Sequence, residues 1–207
     1  MQSGTVISLL GAESTGKTTL ARTLAERLRA EGRRVALVEE ALREFCVREN
    51  RTPRADEQAA IADMQSQRID DAAQSHDWVV ADTSALTVAV YSQLLFNDSS
   101  LIAPALAAQR RYSATLLTAL DLPWVADGHI RDGAHVRQPV DALLRAALQG
   151  GGISFSIVGG SGEQRFANAL RAVQSAMQPA PASGPRWRHV CAECGDPDCE
   201  RHLFARG

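Results

Sequence analysis

Lysine is nearly missing from this chain. Lys and Arg together number 22, and Lys17 is the only lysine among them. A compact ammonium and a planar guanidinium differ most where a point charge must enter a crowded anion site, so Lys17 is marked as a candidate for such a place. Neither sign of charge dominates. A formal net charge of −2 excludes a general polyanion binder and leaves room only for a local basic groove. Long apolar runs are absent too: none approaches the roughly 18 residues that span a bilayer, so no membrane partner is expected. Met1-Gln2-Ser3-Gly4 lacks the basic start of a secretory signal, and the expected location is the cytoplasm. Cysteine is scarce and uneven. Cys46 stands alone, and Cys191, Cys194 and Cys199 crowd the last 17 residues. A reducing compartment disfavours a disulfide framework there and moves metal binding up. No internal repeat is present.

What is there suits one α/β domain with a small appendage. The length is 207 residues and 45% are hydrophobic, enough for a real core. Thr5-Val6-Ile7-Ser8-Leu9-Leu10 is a β-branched apolar run ending at Gly11 and reads as a buried strand. Leu20, Leu24 and Leu28 recur at four-residue spacing, which predicts an amphipathic helix over 17–30 with Gly32 as its stop. Val35–Val38 is a second strand closing on Glu39-Glu40, and a helix is expected over 41–49. Pro53 breaks the chain before a long polar helix over 55–76. Trp78–Ala81 is a third strand ending at Asp82, followed by helical material to about Arg111 with an interruption near 97–100. A fourth strand is expected over 114–120, a fifth over 153–158, and a last helix over 162–177.

Strands apolar throughout, alternating with helices, predict a parallel sheet of about five strands covered on both faces. Ligands of such sheets sit at the carboxyl ends of the strands, which singles out Gly11 onward, Glu39-Glu40, Asp82 and the segment after Leu120. Composition changes after Met177. The expected organisation is a domain over 1–177, a Pro/Ala-rich linker over 178–188, and a Cys/His tail over 189–207.

Gly11-Ala12-Glu13-Ser14-Thr15-Gly16-Lys17-Thr18 fits G-x-x-x-x-G-K-[ST] in full, between a predicted strand and a predicted helix. Its glycines let backbone N–H groups wrap a phosphate, and the following helix aims its positive end at the same anion. Lys17 is placed to reach the β- and γ-phosphates of ATP, with the Thr18 hydroxyl on Mg²⁺ and Thr19 beside it. The expected fold class is therefore an α/β P-loop NTPase of the nucleoside- or nucleotide-kinase kind. GTPases carry an N/T-K-x-D base-reading motif, which a chain without a second lysine cannot form. The chain is also short for an AAA+ motor module, so small kinases and minimal ATPases remain.

Asp82 closes the third strand as a Mg²⁺-holding carboxylate would; the competing reading is a helix N-cap, and the two are compatible. A carboxylate of Glu39-Glu40 would accept the proton of an attacking hydroxyl, or would simply stabilise the first turn of a helix. Residues 127–138 are polar, punctuated by glycine and carry Arg131 and Arg137. They read as a lid that brings both arginines over the phosphates, against the alternative of an ordinary solvated loop. His129 and His135 are expected to be bystanders there.

These segments together resemble one family. The loop from Gly11 to Leu20 resembles the phosphate loop of the ribosylnicotinamide kinase domain of NadR-type proteins and related AAA-family P-loop ATPase-kinases. Glu40-Ala41-Leu42-Arg43-Glu44-Phe45 resembles that family's E-Y-x-R-E-[FY], Asp82-Thr83 its D-T, and Trp124–Arg131 its W-x-x-D-G-x-R lid. Gln65, Arg68 and Asp70 fall where the family has a polar helix. The resemblance covers residues 1 to about 176. It implies ATP-dependent phosphorylation of the ribose 5′-hydroxyl of nicotinamide riboside. It also implies that Lys17 and Thr18 handle phosphates and metal, that Glu40, Arg43, Asp82 and Trp124 line the substrate side, and that Arg131 belongs to the lid. Ala41 departs from the family's aromatic, and the adenylyltransferase motif H-x-G-H is absent.

Cys191-x2-Cys194-x4-Cys199-x2-His202 offers three thiolates and an imidazole, a donor set that suits tetrahedral Zn²⁺, with His189 as a spare. The alternative is a tail whose thiols do nothing. Its arginines and Trp187 are thin support for nucleic acid, which is not an expected partner. The rival to a kinase is a nucleotide-dependent binding module whose tail engages a protein or nucleic acid.

Overall fold

The computed structural model describes residues 4–125 and 133–178. The chain divides after Met177, and all the secondary structure described here lies in the first unit. The elements run β1 (Thr5–Leu10), α1 (Lys17–Ala30), β2 (Val35–Val38), α2 (Ala41–Glu49), α3 (Gln58–Ser75), β3 (Trp78–Asp82), α4 (Ala85–Phe96), α5 (Ile102–Gln109), β4 (Ala114–Thr118), α6 (Arg137–Gly150), β5 (Ser156–Val158) and α7 (Gly162–Met177). Short 3₁₀ turns at Ala55–Glu57 and Ala134–Val136 lead into α3 and α6.

The strands form one parallel sheet in the order β2-β3-β1-β4-β5. Side chains alternate across it, and both sets are apolar. Ile7 and Leu9 of β1 and Leu116 of β4 meet Leu20, Leu24 and Leu28 of α1 and Ala169 and Val173 of α7. On the other face, Leu10 and Leu117 meet Ile61 of α3, Leu86 and Val90 of α4, and Val140, Leu144 and Leu148 of α6. Val6 packs with Ile69 and Ala73 of α3. Each large aliphatic side chain so enclosed contributes roughly 1.5–3 kcal/mol of transfer free energy. The sheet is therefore buried on both faces, as continuous apolar strands require.

The order has a consequence for function. From β1 the chain leaves through α1 toward β2, on one side. From β3 it crosses to β4, on the other. The reversal opens a crevice at the carboxyl ends of β1 and β3, where ligands of open α/β sheets bind.

Four expectations change. The fourth strand stops at Thr118 and the fifth begins only at Ser156. The long polar helix opens with a 3₁₀ turn, because Glu57 bonds back to the Arg54 N–H and grips the Arg51 guanidinium at 2.7 Å. The largest difference is α6, a 14-residue helix where only the end of a loop was expected. Its stripe of Val140, Leu144 and Leu148 at four-residue spacing is as regular as that of α1.

Candidate functional site

The loop after β1 is shaped by two glycines. Gly11 has φ of 147° and lies so close to Thr118 at the end of β4 that any side chain would collide with it. Gly16 takes the left-handed region at φ of 76° and is the N-cap of α1, with Leu122 against it. No side chain caps α1 and no acid sits in its first turn, so its N-terminal N–H groups and dipole face the loop interior. The Thr15 hydroxyl bonds the Ala12 carbonyl at 2.8 Å and accepts from Thr118 Oγ1 at 2.7 Å. The Lys17 ammonium lies across the loop, donating to the Ala12 carbonyl at 2.8 Å, and is nearly buried. Ser14, also at positive φ, accepts from the Val125 N–H at 2.9 Å, which ties the segment bearing Trp124 to the loop. Glu13 and Thr19 lie in the loop and the first turn of α1.

Thr18 Oγ1 donates to Asp82 Oδ2 at 2.6 Å. Asp82 is 2% exposed, and its other oxygen, Oδ1, is buried and accepts no hydrogen bond. The N-cap of α4 is Ser84, whose hydroxyl accepts from the Leu86 N–H at 3.2 Å. The capping duty that competed for Asp82 thus falls two residues later. Ser84 donates in turn to Gln109 Oε1 at 2.7 Å, and Gln109 Nε2 reaches Ser8 and Thr115, both at 2.8 Å. This buried network fixes the turn after β3 to the two central strands. Thr83 occupies φ of 85°, a rare state for a β-branched residue, and its hydroxyl is buried without a partner.

The two acids after β2 separate. Glu39 is exposed and pairs with Arg22 of α1 at 3.1 Å. Glu40 turns inward, with its side chain 14% exposed and Arg43 at 3.5 Å. The turn is held from below: fully buried Gln65 of α3 accepts the Ala41 N–H at 2.8 Å. Gln65 Nε2, Gln58 Oε1 and Thr87 Oγ1 are further buried polar atoms without partners, all on α3 and α4. Both helices have their N-terminal halves at the carboxyl end of the sheet, beside Glu40 and Asp82. Buried polar atoms are nearly always hydrogen-bonded, so a group of orphans beside a phosphate loop suits a polar ligand.

Residues 6–165 match the family described as an AAA domain. The chain belongs to that family. The AAA domain here shares its fold with two solved structures. One is a crystal structure of a NadR protein in complex with NAD and AMP-PNP, with TM-score 0.66 and 22% identity. The other is a NadR protein in complex with NR, with TM-score 0.69 and 23% identity. Each comparison covers 87% of this chain, which spans about half of those chains, 51% and 52%. No curated protein matches it. A P-loop NTPase-like parallel sheet with helices on both faces is thus common to this AAA domain and the NadR structures.

Of the residues singled out in the sequence, the structure gathers Gly11, Ser14, Thr15, Gly16, Lys17, Thr18 and Asp82 into one site, with Glu40 and Arg43 on the adjoining turn. Arg137 opens α6 and donates to the Leu122 carbonyl at 2.9 Å. Arg131, and the zinc ligands Cys191, Cys194, Cys199 and His202, lie outside the described residues. Among the described residues no cluster of His, Cys, Asp or Glu could hold a metal by itself, and no helix is long and apolar enough to cross a membrane.

Sequence reasoning missed Arg165 and Asp121. Arg165 of α7 is 5% exposed and donates to the Thr15 carbonyl at 2.6 Å, the Gly160 carbonyl at 2.7 Å and Asp121 Oδ1 at 2.9 Å. Burial pushes the Asp121 carboxyl up, but the bonds from Arg165 and Gly160 outweigh it and hold it below its ordinary value. A signal existed: Arg165 continues the buried stripe of Ala169 and Val173 by one turn.

Proposed function

We propose that this chain is an ATP-dependent small-molecule kinase that phosphorylates the ribose 5′-hydroxyl of nicotinamide riboside, giving the mononucleotide. The observation that carries this reading is the pairing of Thr18 with Asp82 at 2.6 Å beside an inward-turned Glu40. A phosphate loop, a metal-side carboxylate and a second acid on the adjoining turn are the parts that phosphoryl transfer to a hydroxyl needs. The NadR structures with NR and AMP-PNP support the choice of acceptor and donor.

In this reading the 11–18 loop binds the β- and γ-phosphates through its N–H groups, and Lys17 leaves the Ala12 carbonyl to meet them. Thr18 and Asp82 are the residues that would hold Mg²⁺. Asp82 Oδ1 is a buried, unpartnered oxygen, and hydroxyl plus carboxylate is the donor set a hard cation takes. The ion supplies charge neutralisation on the phosphate oxygens. Glu40 accepts the proton of the acceptor hydroxyl, whose oxygen bonds to the γ-phosphorus while the β–γ bridging oxygen departs with ADP. Arg43 orients Glu40, and Trp124 stands on the acceptor side. Arg131 serves the phosphates from the lid, excluding water from a cytoplasmic reaction, and Arg137, at the start of α6, leaves the Leu122 carbonyl to join it. Cys191, Cys194, Cys199 and His202 form a structural zinc knuckle, supported by their spacing alone. Zinc analysis of the whole chain and of residues 1–178 tests that part: about one metal per full chain and none per truncated one is expected, and equal content overturns it.

A coupled ADP-release assay with nicotinamide riboside tests the reaction. Stimulated turnover is expected. Stimulation by another nucleoside alone would overturn the named acceptor. ATP binding without turnover on any nucleoside would favour a nucleotide-dependent binding module.

A further inference from the structure

Arg165 is the feature that the proposed reaction does not use. Its guanidinium is buried between the phosphate loop and the turn that joins β5 to α7, and three of its hydrogen bonds end on oxygens of three different segments. Burying a cation is costly, and here Nη1 and Nη2 find acceptors while the buried Nε finds none, so placing an arginine at this point needs a reason beyond packing. An apolar residue would fill the same stripe of α7 beside Ala169 and Val173 at lower cost.

The reason lies in the Thr15–Gly16 peptide. A trans peptide is planar, so its C=O and N–H point in opposite directions. Arg165 Nη2 fixes the Thr15 carbonyl at 2.6 Å on the outside of the loop. The Gly16 N–H must then face the loop interior, where a bound phosphate would sit. Gly16 is at φ of 76° with no Cβ to resist rotation of this peptide, so its own backbone does not enforce the orientation. Arg165 Nη1 also holds the Gly160 carbonyl, and the Gly160 N–H is bonded to Asp121 Oδ2, so the same clamp joins the β5–α7 turn to the phosphate loop.

We propose that Arg165 is a positioning residue for phosphate binding: by fixing the Thr15 carbonyl it aims the Gly16 N–H at the bound polyphosphate, with Asp121 holding the guanidinium in place. The inference rests on reading 11–18 as a phosphate loop and does not depend on the acceptor.

The test measures binding of ATP and of inorganic tripolyphosphate to the full chain by calorimetry, with no acceptor present. Arg165→Lys keeps the charge but cannot serve three acceptors with fixed geometry. It should weaken both ligands by about tenfold or more, the size of one charge-assisted hydrogen bond, with a cooperative thermal transition retained. Asp121→Asn keeps the arginine but weakens its anchor, and should weaken both by a smaller factor. Wild-type affinity for tripolyphosphate in both variants overturns the inference, since a purely structural arginine would leave a small phosphate ligand unaffected in any folded variant. Loss of ATP affinity alone, with tripolyphosphate unchanged, overturns it too. If Arg165→Lys does not fold, Asp121→Asn decides alone. A wild-type chain that binds neither ligand overturns the phosphate-loop reading, and this inference with it. A wild type that binds both but turns over no nucleoside leaves the inference standing and removes only the named reaction.

Discussion

Thr18 and Asp82, 64 residues apart, share a hydrogen bond of 2.6 Å, while the second oxygen of Asp82 is buried and accepts none. The neighbouring turn supplies its own helix cap, so the carboxylate is not needed to cap α4. A carboxylate oxygen kept in this state costs stability, and such costs concentrate where a site is prepared for a ligand.

Asp82→Asn preserves the shape and removes the charge. It should leave thermal stability without ligand unchanged or raised by about 1 kcal/mol. Metal-dependent ATP consumption should fall by about a hundredfold or more. Melting curves with and without Mg²⁺ and ATP check both parts: the wild type gains stability from the pair, the variant does not. A variant that loses stability but keeps activity would assign Asp82 to structure instead.

Lys17 offers a sharper case. Its ammonium meets the Ala12 carbonyl at 2.8 Å inside a nearly closed loop. A guanidinium is wider and planar and does not fit between that carbonyl and a phosphate. Lys17→Arg should keep the far-ultraviolet circular dichroism of the wild type and lose turnover by about a hundredfold or more. Full activity would break the argument from the lone lysine.

Much of this site was legible because its parts obey local rules. The G-x-x-x-x-G-K-T loop declares itself by spacing, and Asp82 and Glu40 by standing at the ends of apolar strands. Residue type alone could not say that Glu39 would face Arg22 and Glu40 the crevice; a turn held by Gln65 from α3 decides that, and the contact spans 24 residues. Arg165 was hidden for a related reason. A charged residue on an amphipathic helix is read as solvated, and only the meeting of α7 with the phosphate loop, 150 residues away, gives it acceptors. Helix α6 was harder to read because its first residues, Arg137 and Gln138, continue the polar, glycine-punctuated segment before it, and its apolar stripe starts only at Val140.

Tyr112 gives a prediction in pH. Burial pushes its phenol up from 10.0 to about 12, and the negative charge of Asp70 adds to this, while Arg111 and Ser66 pull the other way. Below pH 10 both folded and unfolded chains keep the proton, and the full stability is present. As pH rises from 10 toward 12 the unfolded chain loses its proton first, so stability falls, by at most roughly 3 kcal/mol for a shift of this size. Spectroscopic titration of phenolate should show Tyr112 ionising near the top of that window. Tyr112→Phe should flatten the slope of stability against pH, and an unchanged slope would place its cause elsewhere.

Thr83 adjoins Asp82 and combines a left-handed backbone, φ of 85°, with a buried hydroxyl that has no partner. Strain of this kind costs on the order of 1–3 kcal/mol and is kept where surrounding structure imposes it. Two variants separate the terms. Thr83→Ala removes the hydroxyl and keeps the Cβ in the strained state. Thr83→Gly removes both, at the cost of about 1 kcal/mol of added freedom in the unfolded chain. If the backbone strain serves to aim Asp82 at Thr18, Thr83→Gly should be at least as stable as Thr83→Ala by denaturant melting and yet show the lower kcat of the two, because a relaxed turn no longer holds the carboxylate. A glycine variant as active as the alanine one would mean that the strain is incidental to the site.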